Sequence, residues 1–281
     1  MSTISADLLL LLERLASLGP LPRVQRLHLP PPAADGTRDG EFCAIELDDG
    51  SLGLSFVLLG DTLAQLRDAD AGGVAELPAL ELARRYAQAQ GLQRTLGFAA
   101  VNALTRHLFD RAGYEPSPAQ GSIGDLDLAP GDHVGMVGLF PPLVKQVLET
   151  GARLTVIELR EDLAGLREGW RVSLDPADLG GCNKVLSTST VLLNDTLEAI
   201  LSHCRTAQRV SLIGPGAGCL PDPLFARGVT LLGGSWIVDA EGFKTALASG
   251  VSWSPFARKV AIRRDDYPGA EALLARARAA R

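Results

Sequence analysis

Leucines in residues 5–18 recur at the spacing of one helix face and stop at Gly19-Pro20, predicting an amphipathic helix. Residues 42–47 and 52–59 are alternating or apolar runs on either side of Asp48-Asp49-Gly50, a hairpin signal because glycine accepts the positive φ of a tight turn. The proline-rich stretch 30–40 before them reads as a surface loop. Residues 78–90 and 97–112 read as helices. The second carries Gly97, Ala99, Ala100 and Ala103 near its start, a small-residue run that contains Asn102. Pro116, Pro118, Gly121 and Gly124 mark a boundary, and the pattern then changes to strand–helix alternation, the signature of a parallel sheet. Strands are expected at 132–139, 153–159, 184–190, 209–214 and 230–238. Helices are expected at 141–150, 194–204, 241–248 and 267–281, with short ones from 162 and at 222–226. The chain is therefore read as α/β, a small α+β domain (1–118) followed by a mostly parallel sheet (119–281).

Composition narrows the function. In 281 residues, 46% hydrophobic and 21% charged, the net charge of −6 leaves no basic excess to neutralise a nucleic acid backbone. Only four of the 27 basic residues are lysines, a skew that reads as genomic base composition. No run approaches a membrane span, and residues 8–12 lack the flanks of a signal peptide. A cytoplasmic protein is expected, its four cysteines reduced and their spacing unlike a zinc site. The apolar N-terminal helix is a candidate surface for self-association.

Ligands of open α/β sheets bind beyond the carboxyl ends of the strands, which directs attention to four turns. The first, 138–142, has the position of a dinucleotide loop but not its G-x-G-x-x-G spacing. Pro141-Pro142 removes amide donors that a pyrophosphate would use, and Phe140 is either packed or available to stack on a planar ring. Glu158 ends the next strand, where nucleotide-binding folds place an acid on ribose hydroxyls; a solvated carboxylate near Arg160 is the plainer reading. Thr188, Thr190, Asn194 and Asp195 belong to a hydroxyl-rich turn that suits an anionic or polyhydroxylated ligand, or that satisfies its own backbone. Gly214 and Pro215 begin the fourth turn, a weak signal of backbone close to a ligand. The histidines do not cluster, and neither a nucleophile nor a cofactor can be assigned.

The strings GDHVGMVGLFPPLV (131–144), TVIEL (155–159), STSTVLLNDTLEAIL (187–201) and IGPGAGCLPDPLFARGVTLLGG (213–234) resemble the putative heavy-metal chelation family. FCAIELDDGSLGLSFVLL and LGFAAVNAL resemble the domain that commonly precedes it. The resemblance implies a Rossmann-like domain after an enolase N-terminal-like one, with a ligand site in the cleft between them. It also implies binding or processing of a pterin-, flavin- or siderophore-like chelator. Asn102, Phe140, Pro141, Glu158, Thr188, Thr190, Asn194, Asp195, Gly214 and Pro215 are the candidate lining. The missing His/Cys cluster argues against a soft-metal cage built from protein side chains. The alternatives are a non-enzymatic metal or metallophore binder and an S-adenosylmethionine-type methyltransferase.

Overall fold

In the computed structural model, which describes residues 2–31, 42–68, 71–121 and 123–280, helix α1 (Ile4–Ala16) starts where the Thr3 hydroxyl accepts the Ala6 N–H at 3.2 Å. The expected loop at 30–40 lies almost wholly outside the described residues. Three antiparallel strands follow: β1 (Val24–His28), β2 (Phe42–Leu47) and β3 (Leu52–Phe56), in that order across a small sheet. Gly50, at φ +86°, makes the expected turn between β2 and β3, and Asp49 accepts the Ser51 N–H at 3.0 Å. After the short α2 (Thr62–Asp68) come α3 (Ala79–Gln88) and α4 (Gly91–Arg111), which pack along each other.

The small residues of α4 set its position. A Cβ on Gly97 would overlap the backbone of α3 at Tyr86, and one on Gly53 of β3 would overlap α4 at Ala99 and Ala103. Every residue from 94 to 105 is buried, as for a helix enclosed on all sides. A three-stranded meander followed by helices agrees with the enolase N-terminal-like unit expected here.

Among the described residues the second sheet has nine strands in the order β4-β12-β11-β10-β9-β5-β6-β8-β7. These are β4 (Ser117–Pro118), β5 (His133–Val137), β6 (Arg153–Ile157), β7 (Gly165–Arg167), β8 (Trp170–Ser173), β9 (Lys184–Thr188), β10 (Arg209–Ile213), β11 (Leu231–Ile237) and β12 (Ala257–Arg263). Its central six strands, β8-β6-β5-β9-β10-β11, are all parallel. Numbered by their own succession they read 3-2-1-4-5-6, the doubly wound Rossmann order. Antiparallel β12 extends one edge, with β4 paired antiparallel to β12 and so running with the central strands, and antiparallel β7 extends the other. Helices α5 (Pro141–Glu149), α6 (Leu197–His203), α7 (Asp222–Phe225), α8 (Ala240–Ser249) and α9 (Ala270–Ala279) complete the chain. The fold is α/β with a mostly parallel sheet, as the strand–helix rhythm predicts.

Three expectations need correction. The strand expected over 184–190 ends at Thr188, and residues 189–192 form a 3₁₀ turn, because the Thr188 hydroxyl accepts the Thr190 N–H and caps it. The apolar stripe of α1 is not left for a partner: Leu8, Leu12 and Leu15 are fully buried, and the helix contacts α3, α4, α7 and α9 of the same chain. The sequence pattern does not predict strands β1, β4, β7, β8 and β12, and β4 lies in the stretch read as a boundary. Among the described residues no helix is long and apolar enough to cross a membrane.

Candidate functional site

The strand succession reverses between β5 and β9, which places the ligand crevice of this fold at their carboxyl ends. The turns after the two strands touch: a Cβ added to Gly138, whose φ is +84°, would lie 3.3 Å from the Thr188 methyl and 3.8 Å from the Phe140 ring. Thr188 donates to the Thr190 hydroxyl at 3.1 Å. Glu158, at the end of β6, reaches back so that its Oε1 accepts the Leu139 N–H at 2.6 Å and its Oε2 the Leu159 N–H at 3.1 Å. The structure thus brings together Phe140, Pro141, Glu158, Thr188 and Thr190.

The amides of this turn are already engaged. Gly138 N–H donates to Ile157, Leu139 N–H to Glu158, and both Leu143 and Val144 N–H to the Phe140 carbonyl. Residues 141 and 142 are prolines, so the start of α5 offers none of the free donors that hold phosphate in a dinucleotide loop. Glu158 supplies negative charge where such a loop receives it from its ligand. An anionic ligand is therefore disfavoured at this turn, and a donor of hydrogen bonds is favoured.

Asn194 and Asp195 serve the chain itself. Asn194 Oδ1 accepts the Thr196 hydroxyl at 2.7 Å and its N–H at 3.3 Å, closing an Asx turn. Asp195 has φ +57° and is ion-paired to Arg94 of α4, a side chain only 6% exposed. The same guanidinium donates to Leu193 O at 2.8 Å, Tyr86 O at 2.7 Å and Leu192 O at 3.2 Å, and lies 4.5 Å over the Tyr86 ring. Composition and spacing do not single out Arg94; the signal available is an arginine in the first turn of a helix, directly before the apolar and small residues 96–101.

Asn102 bridges α4 to both sheets. Its Nδ2 donates to Leu54 O of β3 at 2.7 Å and to Gly216 O, in the turn after β10, at 2.9 Å. It lines a cavity of about 40 Å³ together with Pro215, Arg106, Ser235 and Trp236. Gly214, with φ +151°, links this cavity to the switch point, since a Cβ there would overlap the Ser189 hydroxyl. The candidate residues thus fall into a donor-seeking switch point, a cavity at Asn102 and a self-satisfied turn at 194–196.

Soft-metal ligation by the cysteines does not fit this environment. All four are buried and free. Burial pushes the thiols of Cys43, Cys204 and Cys219 up to about 12 and that of Cys182 to about 11, so none presents a thiolate at neutral pH. His107 is bonded to Asp49 at 2.5 Å, and His28 to Glu46 at 2.7 Å. Among the described residues no group of three or more His, Cys, Asp or Glu side chains could hold an ion.

A family model described as "Putative heavy-metal chelation" matches residues 123–264, and a second with the same description matches residues 40–105. An uncharacterized protein of Methanocaldococcus jannaschii is 27% identical over 153 residues; the match covers 53% of this chain and 57% of that protein's length. The chain resembles the crystal structure of a DUF364-family protein of unknown function from Pyrococcus horikoshii, with a TM-score of 0.67 and 19% identity over 93% of this chain and 100% of the other. A second DUF364-family structure, from Desulfitobacterium hafniense, gives 0.66 and 21% over 92% and 99%. At these identities the structural likeness shows the fold.

Proposed function

The chain belongs to the putative heavy-metal chelation family, and from that premise we propose that it binds or processes a small, donor-rich organic chelator rather than a bare metal ion. The ligand would be pterin-, flavin- or siderophore-like. Its cleft lies between an α+β domain (1–118) and a Rossmann-like domain (119–281), with Phe140, Glu158, Thr188, Thr190, Asn102 and Pro215 as lining. The observation that carries this reading is Glu158 seated on the Leu139 amide at the switch point. A carboxylate there accepts hydrogen bonds from hydroxyl or amine groups and repels phosphate, which suits a polyhydroxylated ligand better than a nucleotide. Phe140 offers a partly exposed ring beside it for a planar group.

The metal, in this reading, arrives as cargo of the organic ligand, since the buried protonated thiols do not supply a soft-metal cage. Mass spectrometry of small molecules released from the purified protein tests the proposal. A hydroxyl- or amine-rich chelator, bound again on addition, supports it. Tight stoichiometric metal in equilibrium dialysis without any organic ligand would replace it with a metal-binding role, and calorimetric binding of S-adenosylmethionine would replace it with a methyltransferase role.

A further inference from the structure

Asn102 is 3% exposed, and its Oδ1 has no hydrogen-bond partner among the described residues. The orientation of the amide is fixed by chemistry: both neighbours on its other side, Leu54 O and Gly216 O, are acceptors, so the nitrogen must face them. An uncompensated buried carbonyl oxygen carries a real cost, and because this one is closed off even from water, a ligand recovers that cost by shifting the adjoining wall enough to donate to it. The residue borders the 40 Å³ cavity, which exceeds the space of a single water and is walled by Leu54, Phe109, Pro215 and Ile262.

The cation at this cavity is already committed. Arg106 stacks 3.8 Å over the Trp236 ring, its Nε donates to Asp110 at 2.7 Å and its Nη1 to Ile237 O at 3.1 Å. With the charge paired and the free polar atom an acceptor, the cavity selects a neutral donor over an anion.

We propose that the Asn102 cavity is a specificity subsite that takes the neutral hydrogen-bond-donating end of the ligand, a group of a few non-hydrogen atoms bearing N–H or O–H. This deepens, and rests on, the reading of the cleft as the ligand site. Gly218 supplies the discriminating variant. A Cβ there would sit 3.5 Å from Asn102 Cβ and Cγ and 3.7 Å from Oδ1, in ordinary contact, and the backbone is outside the left-handed region. Gly218→Ala therefore places a methyl beside the acceptor without displacing it.

The test titrates acetamide and acetate, as probes of equal size, into the full chain while following the Trp236 indole and Asn102 side-chain NMR signals. Acetamide is expected to shift both, acetate to bind at least tenfold more weakly, and Gly218→Ala to weaken acetamide at least tenfold with an unchanged Tm. Equal or tighter binding of acetate, an acetamide response that survives Gly218→Ala, or no response to either probe (water alone filling the cavity) overturns the inference. The two readings fail separately. Absence of any organic ligand from the purified protein removes the proposed function while leaving the acetamide response in place. An acetamide response indifferent to Gly218→Ala removes the subsite while a co-purified chelator stands.

Discussion

Arg94 in α4 is ion-paired to Asp195, 101 positions later in the chain, and hands its remaining donors to three main-chain oxygens on either side of the contact. One buried guanidinium thereby fixes the turn after β9 against α3 and α4. Arg94→Met strands the Leu193 and Tyr86 carbonyls in a dry interior, while Leu192 O keeps the Tyr86 hydroxyl at 2.7 Å, a loss expected to cost about 3 kcal/mol. Asp195→Asn removes only a half-exposed charge and keeps a residue that tolerates positive φ, so a change within about 1 kcal/mol is expected. Denaturant unfolding of the two variants checks the contrast. Comparable losses would mean that the ion pair, not the carbonyl bonds, holds the turn.

Glu158→Gln keeps an oxygen for the Leu139 amide and removes the charge. Stability is expected to change by less than about 1 kcal/mol, while affinity for a donor-rich ligand falls about tenfold or more. Calorimetry with the co-purified molecule decides this. Asn194→Ala is expected to act the other way, lowering stability by about 1 kcal/mol through loss of the Asx turn with little effect on affinity.

Asp132 accepts from Lys184, Asn183 and the Ala129 amide, each at 2.7 Å, and these bonds lower its pKa from 3.8 to about 2. Because the folded value lies below the unfolded one, protonation favours unfolding. This contribution is complete above about pH 4 and disappears as pH falls toward 2. Thermal unfolding measured across that window should show a steep fall in Tm for the wild type and a shallower one for Asp132→Asn, which begins from a lower Tm at neutral pH.

The thiols offer a direct check on the metal reading. In the native protein at pH 7.5, fewer than one of the four cysteines is expected to react promptly with a disulfide reagent, and all four after denaturation. Rapid titration of two or more in the native state would show accessible thiolates and reopen direct soft-metal binding.

Much of the fold is legible in the sequence because the parallel strands are short apolar runs separated by helices. The run that became β5, the hairpin turn at Gly50 and the small-residue face of α4 all carry their structural reason locally. The strands that escaped notice lack that local signal. In β1, VQRLH is mostly polar, and the edge strand β7 is exposed throughout, with Leu166 at 84%. Strand β12, ARKVAIR, is recognisable only through its antiparallel partner β11. The site was legible as a set of turns, not as an arrangement. Glu158 was seen as an acid at a strand end, but its amide partner belongs to another turn. The role of Arg94 is hard to read from sequence, since its ion-pair partner and two of the three carbonyls it serves are about a hundred residues away.

The strand Ser117–Pro118 runs directly out of the N-terminal half and pairs with Val260 and Ala261, while Arg14 of α1 is bonded to Glu271 of α9. Helix α1 rests on α3 and α4 within its own half of the sequence, and α7 and α9 meet it from more than two hundred positions later. High sequence separation of this kind slows the search for the native topology. The two halves are thus stitched together away from the cleft as well as at it, and deleting α9 should loosen one side of α1 while α3 and α4 still hold the other.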